Sequence, residues 1–218
     1  MVAFLDSLSV LILASAIALT AAKRINSYIR VFCLQSFLLF LATFSIGINS
    51  LFADGHFDIL LLSIVIFMLK VIYIPNLLKN IYAKTAYKVE KDFFINIPSS
   101  IIICIFIIIL TYFSLNSLEG LIDGHTRFYL VNSISVVLIG MFFMIARKKA
   151  IGQIVGFLVL ENGMFTTAIL SAHGMPVIVD LGILIDLLTA VMIMGVLVFR
   201  INERFDSIDI NRLRNLRG

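Results

Sequence analysis

Charge is scarce in this sequence, because Asp, Glu, Lys and Arg together make up only 14% of its 218 residues. A soluble domain of this length needs a far more polar surface, so the composition excludes one. Histidine is also rare, and the three that occur, His56, His125 and His173, all fall in predicted loops. A haem within the membrane needs histidine ligands inside the spans, so electron transfer through this chain is not expected.

Cysteine occurs only twice, at Cys33 and Cys104, and neither has a partner at metal-ligand spacing. We interpret both as packing residues, since free cysteine behaves as a small hydrophobe. The sequence also has no glycine-rich phosphate loop and no nucleophile with a base beside it. These absences disfavour a catalytic role for the chain itself, but they leave open whether it belongs to an enzyme complex. The remaining interpretation is that the chain moves protons or ions.

Hydrophobic residues make up 61% of the chain, and its mean hydropathy is +1.09. A stretch of about 20 apolar residues crosses a hydrocarbon core of ~30 Å as a helix. We therefore predict an all-α, polytopic integral membrane protein with seven transmembrane helices. They fall at residues 3–22, 31–53, 59–81, 97–115, 128–146, 150–172 and 177–199.

The basic residues predict the orientation of these helices. Of the 17 Lys and Arg residues, Lys70 lies inside a span and Arg127 stands alone on one side, which leaves 15 for the other side. Basic loops stay in the cytoplasm, so the N-terminus is predicted outside the cytoplasmic (inner) membrane and the C-terminus inside. The net charge of +4 then reflects topology, and no nucleic-acid partner is indicated.

Three predicted spans carry an ionisable residue at their middle: Lys70, Glu161 and Asp186. A charge at the bilayer centre is expensive, so each is a candidate functional residue. Glu161 lies about eleven residues from either end of its span, which is ~16 Å from both surfaces. A carboxyl group there can take up and release a proton; the alternative is a structural carboxyl bound to a neighbouring helix. Gly152 and Gly156, spaced four apart, predict close packing of this helix.

Lys70 shares a helical face with Ser63 and Tyr73, which predicts a polar stripe that points inward. Pro75 has no backbone N–H to donate, so it frees the carbonyl of Val71 beside the lysine. The alternative to a functional lysine is a static ion pair with one of the two central acids.

The last predicted span offers two acids, Asp180 near its outer end and Asp186 near its centre. Six residues place them about 240° apart around a helix, so they face different neighbours. Asp186 is the better candidate at the midplane, whereas Asp180 also fits as a cap of the helix N-terminus.

Three segments of the C-terminal region, GFLVLENGMF, HGMPVIVDLGILIDLL and MGVLVFRI, resemble the hydrogenase-4 component E family. That family forms a membrane subunit of energy-converting (group 4) hydrogenase and formate hydrogenlyase complexes, and the likeness is most specific over residues 150–218. Residues 128–199 also resemble the three-helix K subunit of respiratory complex I, and the ending SIDINRLRNLRG is similar to the end of that subunit. The resemblance implies four N-terminal helices over 1–127, a K-like module over 128–199 and a cytoplasmic tail over 200–218.

The resemblance to the K subunit places Glu161 in a chain of buried charges that links the quinone-site region to antiporter-like subunits. Asp186 is implied as the second acid, on an alignment shifted by about one helical turn. The resemblance does not give the role of the N-terminal helices, so Lys70 and Asp180 are added to the predicted proton relay because of their own positions within the spans. The implied partners are antiporter-like membrane subunits, a quinone-site-type membrane subunit, a soluble hydrogenase and iron–sulfur arm, and membrane lipid. The nickel–iron centre and the iron–sulfur clusters would lie in those partners, and this chain would bind no cofactor itself.

Two other functions use the same sequence features. A stand-alone ion or proton transporter would also need central charges, but such transporters usually contain internal repeats, and no other part of the sequence mirrors 128–199. A purely structural scaffold subunit would need no central charges, and three of them argue against it.

Overall fold

The computed structural model describes residues 2–54, 57–84, 95–117 and 123–171, and its regular elements there are helices. In chain order they are α1 (Val2–Ala21), α2 (Ile25–Asp54), α3 (Asp58–Ile66), a π-helical segment (Phe67–Tyr73), α4 (Ile74–Lys84), α5 (Ile97–Asn116), α6 (Gly124–Ala146) and α7 (Ala150–Ser171). The seventh predicted span, which carries Asp180 and Asp186, and the predicted tail over 200–218 lie outside the described residues.

Six stretches of the described chain are helical, long and apolar enough to cross a membrane. They coincide with the first six predicted spans, so the chain is a membrane protein and the described part of it is all-α. The elements α3, the π-helical segment and α4 follow one another without a break and together provide one of the six, Asp58–Asn80. The seventh span and the orientation of the termini remain predictions.

Two helices begin earlier than the hydropathy predicted. Helix α2 starts at Ile25 rather than near residue 31, because Ile25, Tyr28 and Ile29 are buried against the rest of the chain. Helix α6 starts at Gly124 rather than near 128, because the side chain of Asp123 accepts a hydrogen bond from the backbone N of His125 at 3.2 Å. His125, predicted in a loop, therefore lies in the first turn of a helix, since capping and burial decide where a helix begins.

Helices α6 and α7 pack with their backbones in contact. A Cβ atom added at Gly140 would lie 2.5 Å from the backbone N of Leu160, and one at Gly156 would lie 2.7 Å from the backbone N of Met144. Gly163 makes a third approach of this kind. Larger side chains would push the helices apart, so the close packing predicted from Gly156 is confirmed, and it fixes the rotation of α7 about its axis.

The main apolar core is shared by helices from both ends of the described chain. Its buried members include Ile12, Phe32, Leu78, Cys104, Val136 and Leu158, which come from α1, α2, α4, α5, α6 and α7 respectively. The burial of Cys104 in this core confirms that it is a packing residue. Its Sγ also donates to Thr20 Oγ1 at 3.7 Å. The bundle is thus built around α1, α2, α6 and α7, whose mutual contacts position the residues described below.

Arg147 lies in the predicted connector between α6 and α7, but its side chain is buried rather than solvated. Its Nη2 donates to the backbone O of Thr20 at 2.9 Å and to that of Ala22 at 3.4 Å. The guanidinium carbon also lies 5.1 Å from the ring centroid of Tyr28 and 4.4 Å from that of Phe143. The arginine therefore supplies donors to carbonyls at the end of α1 that have no partner within the helix.

Candidate functional site in the membrane interior

Lys70 lies inside the bundle, in the π-helical segment, and its side chain is 0% exposed. The helical hydrogen bonding widens there, because the backbone N of Ile74 donates to the O of Leu69, five residues earlier. Pro75 follows directly and has no N–H of its own to donate, so the regular α-helical pattern is interrupted at this point. Such single π turns inside longer helices are frequent at functional sites.

The predicted polar stripe around Lys70 is confirmed for Ser63 and wrong for Tyr73. Ser63 is buried, with its Oγ donating to the O of Leu60 at 2.7 Å, but Tyr73 is 45% exposed. The prediction assumed an α-helix between residues 70 and 73. A π-helical hydrogen bond spans five residues instead of four, so each residue turns the helix by a smaller angle and Tyr73 leaves the shared face.

The Lys70 ammonium lies against Glu161 of α7. Its Nζ is 3.1 Å from Glu161 Oε1, and both side chains are 0% exposed. It also donates to Asn162 Oδ1 at 3.2 Å and lies 4.8 Å from the ring centroid of Phe165. Of the two acids that the sequence left open as its partner, Glu161 is therefore in contact with it, whereas Asp186 lies outside the described residues.

The arrangement places two titratable groups where neither can reach water by extending its side chain. Glu161 lies near the middle of α7, Ala150–Ser171, as its sequence position predicted. A buried pair is costly to assemble, but removing one partner is worse, because it leaves an uncompensated charge.

A chain of amide groups orients this pair from the side of α2. Asn162 Nδ2 donates to Gln35 Oε1 and to Ser36 Oγ, each at 3.2 Å, which leaves Asn162 Oδ1 to accept from Lys70. Gln35 Nε2 in turn donates to the backbone O of Ile12 in α1 at 3.3 Å. The three side chains Gln35, Ser36 and Asn162 are fully buried, so the network is shielded from solvent.

Sequence reasoning missed Gln35 and Ser36 as parts of the site. The signal was present, since two adjacent polar residues interrupt the apolar sequence of α2 well inside its span. Ser and Gln commonly form hydrogen bonds between helices in lipid, but residue type does not show which helix they bind, so the sequence alone did not connect them with Lys70.

The carbonyl of Val71, predicted to be freed by Pro75, accepts a hydrogen bond from Cys33 Sγ at 3.7 Å. Cys33 is half-buried and its thiol is free. Its interpretation as a packing residue is therefore incomplete, because it also satisfies a backbone group beside Lys70. Among the described residues, no three His, Cys, Asp or Glu side chains lie close enough together to hold a metal ion.

Comparison with known proteins gives two kinds of relative. The chain is 33% identical over 165 residues to the uncharacterized protein Rv0085 of Mycobacterium tuberculosis, and the match covers 75% of each chain. It is 31% identical over 81 residues to hydrogenase-4 component E of Escherichia coli K12, and the same figures hold for that protein in Shigella flexneri. This second match covers 37% of the chain and 38% of the relative. No protein-family model and no solved structure matches the chain.

Proposed function

The chain belongs to the same protein family as Rv0085 of Mycobacterium tuberculosis, and we propose that it is a membrane subunit of a hydrogenase complex that relays protons through the membrane interior. The partial identity with hydrogenase-4 component E supports the complex. The resemblance of residues 128–199 to the K subunit of complex I, which is a prediction from the sequence, is the basis for the relay.

The observation that carries the proposal is the ion pair between Lys70 and Glu161. Both side chains are completely buried within helices that can cross a membrane, where isolated charges are rare and mark ion or proton pathways. A scaffold subunit would gain no packing from such a pair that apolar residues could not supply. The pair is therefore better explained by a function that needs exchangeable protons.

The geometry suggests how a proton would change the pair. In the charged state, Lys70 is held by an ion pair with Glu161, whose Oε1 lies 3.1 Å from Nζ, and by a hydrogen bond to Asn162 Oδ1 at 3.2 Å. When Glu161 takes up a proton, the attraction between opposite charges is lost, and the Asn162 oxygen still binds the ammonium. Lys70 then stays in place, bound to Asn162 Oδ1.

The remaining parts of the proposal concern residues and proteins beyond the described chain. Asp186 and Asp180 on the seventh helix would extend the relay toward antiporter-like subunits, and a quinone-site-type subunit would lie at its other end. The nickel–iron centre and iron–sulfur clusters would belong to a soluble arm. The chain would sit in the inner membrane with its N-terminus outside.

Purification in mild detergent tests the complex, because the proteins that accompany the chain can be identified by mass. We expect a nickel–iron large subunit and antiporter-like subunits among them. A chain that purifies alone and moves ions by itself in vesicles would be a stand-alone transporter instead.

Substitution Glu161→Gln tests the relay, since it keeps the size and polarity of the side chain but removes the exchangeable proton. We expect an assembled complex whose proton movement in vesicles falls by about 10²-fold or more. The matched control is Asp58→Asn, the same chemical change at an exposed carboxylate at the start of α3. Unchanged proton movement in an assembled Glu161→Gln complex would overturn the relay.

A further inference from the structure

Polar groups form a ladder between α1 and α6, on the side of the bundle that carries the N-terminus of α1. Helix α1 contributes Asp6 and Ser9, three residues apart, and α6 contributes Tyr129, Asn132 and Ser135 at the same spacing. Three residues bring a helix almost back to the same face and advance it by ~4.5 Å. The groups are therefore stacked one above another, from the membrane surface inward.

The outer end of the ladder is open to solvent. The Asp6 side chain is 31% exposed, and its Oδ2 lies 3.9 Å from Nδ1 of His125, whose side chain is 65% exposed. A carboxylate and an imidazole thus lie at the mouth of the ladder.

The next level inward is closed to solvent. Asn132 Nδ2 donates to Ser9 Oγ at 3.0 Å, and Ser9 Oγ donates to the backbone O of Asp6 at 2.8 Å. Ser9 is 1% exposed and Asn132 is 6% exposed. The contact also sets the register, because it places residue 132 of α6 opposite residue 9 of α1.

Ser135 lies one turn further inward, and it has a buried hydroxyl that the packing does not explain. It is completely buried, and its Oγ has no hydrogen-bond partner among the described residues. A buried hydroxyl without a partner is costly, and it marks a place where water can be bound. In the register set by Asn132 and Ser9, Ser135 is level with Ile12.

Ile12 joins the ladder to the central pair. Its backbone O accepts from Gln35 Nε2, whose own oxygen accepts from Asn162, the residue that holds Lys70 beside Glu161. The polar groups therefore continue from Asp6 at the surface to Glu161 in the interior, with the unsatisfied Ser135 hydroxyl at the junction.

We propose that water enters this α1–α6 ladder, which thereby forms an access path for protons between the membrane surface at the N-terminus of α1 and the Lys70–Glu161 pair. The proposal rests on the proposed relay and adds its connection to one side of the membrane. A hydronium ion gives its proton to the Asp6 carboxylate, water that enters the ladder takes that proton from Asp6, and water held by Ser135 passes it to the Glu161 carboxylate. Each step breaks one O–H bond and forms another, so the net change is one proton transferred and no electrons.

Asn132 and Gln35 have a different task, because an amide does not readily carry a proton. They orient water and the neighbouring hydroxyls by their hydrogen bonds. In the predicted topology, the path opens to the outside of the cell.

Cysteine labelling tests whether water reaches Ser135. The background is the full chain with Cys33→Ala and Cys104→Ala, assembled with its partners in sealed vesicles, so that no native thiol reacts. Ser9→Cys and Ser135→Cys are then treated with a charged, membrane-impermeant methanethiosulfonate reagent added from one side at a time. The control is Ile105→Cys, which lies on an exposed face of α5 at the same distance in residues from its helix end as Ser135 from the start of α6.

We expect Ser9→Cys and Ser135→Cys to react from the side of the N-terminus of α1, and Ile105→Cys to remain unlabelled because lipid excludes the charged reagent. Failure of Ser135→Cys to react from that side in an assembled complex would overturn the path. This result does not depend on proton movement. If Glu161→Gln leaves proton movement unchanged while Ser135→Cys is labelled, the relay fails and the water path stands.

A functional test uses two further variants of the assembled complex. Asp6→Asn should slow proton movement by about tenfold, because it removes the acid that concentrates protons at the mouth. Ser135→Val should slow it at least as much, because it removes the hydroxyl and fills the space. The control Ser7→Val, at an exposed position on the same helix, should retain the rate. Full rates in both Asp6→Asn and Ser135→Val would show that the ladder only holds the helices together.

Discussion

The side-chain oxygen of Asn162 accepts a hydrogen bond from Lys70 Nζ at 3.2 Å, and helix α2 determines this orientation. Both acceptors for the Asn162 amide nitrogen, Gln35 Oε1 and Ser36 Oγ, lie on α2. If the amide turned around, its nitrogen would face the ammonium and its oxygen would face Gln35 Oε1. Two repulsive contacts would replace two hydrogen bonds, so the network holds Lys70 in one position next to Glu161.

The Lys70–Glu161 contact predicts strong coupling between substitutions at the two positions. Lys70→Met alone should lower the yield of the assembled complex, since it leaves an uncompensated buried acid at a cost of about 3–5 kcal/mol. Adding Glu161→Gln should recover most of that yield. The measurement is a double-mutant cycle on complex yield.

The control for this cycle pairs Lys70→Met with Asp186→Asn. Strictly additive losses for Lys70→Met with Glu161→Gln would show that the 3.1 Å contact contributes nothing. If Lys70→Met couples with Asp186→Asn but not with Glu161→Gln, the partner of Lys70 is Asp186 on the predicted seventh helix.

Gln35 is predicted to affect the Lys70–Glu161 pair through its hydrogen bond with Asn162. Gln35→Leu removes one acceptor of the Asn162 amide, so Lys70 should lose its fixed position and proton movement should fall by about tenfold to a hundredfold. The complex should still assemble. The matched control is Gln153→Leu, the same substitution at an exposed position on α7. Equal rates for the two variants would contradict an orienting role for Gln35.

The contact between α6 and α7 predicts a steric limit at Gly156. Gly156→Ala would place a Cβ 2.7 Å from the Met144 backbone, so it should destabilise the assembled protein by about 1–3 kcal/mol. Gly124→Ala is the matched control, because a Cβ there meets nothing within 4 Å. The two variants are compared by thermal unfolding in detergent. Equal unfolding temperatures would mean that α6 and α7 accommodate the added Cβ atom without loss of stability.

Arg147 is predicted to stabilise the turn between α1 and α2. Arg147→Met leaves the carbonyls of Thr20 and Ala22 without these donors, and hydrogen bonds to charged groups contribute about 1.5–3 kcal/mol each. Arg147→Lys should restore only part of the loss, because an ammonium cannot reproduce the planar fork of the guanidinium. The same substitution at an exposed arginine of α2, Arg30→Met, should leave the unfolding midpoint unchanged.

The predicted tail over 200–218 combines five arginines with the acids Glu203, Asp206 and Asp209, so a simple membrane anchor does not explain its composition. Deleting residues 207–218 should leave the helices inserted but loosen the soluble arm of the complex during a salt wash. Retention of that arm at full stoichiometry would reduce the tail to an anchor. The measurement is the ratio of subunits after purification.

Several features of the site could be predicted from the sequence. The central positions of Lys70 and Glu161, the freed carbonyl of Val71 and the close packing at Gly156 all followed from residue type and spacing. The prediction for Tyr73 was wrong because the π-helical segment changes the rotation per residue along the helix. In the sequence, only Pro75 indicates this segment.

By itself, the sequence determined that this is a membrane protein and how deep along each described helix the central charges lie. Hydropathy and the constant rise of ~1.5 Å per residue are local properties, so they can be read along one segment at a time. Tertiary structure alone decided that Lys70 meets Glu161, that Gln35 orients Asn162, and that Arg147 turns inward. Those contacts depend on how each helix is rotated about its axis, and close packing against neighbouring helices, such as the backbone contact at Gly156, determines that rotation.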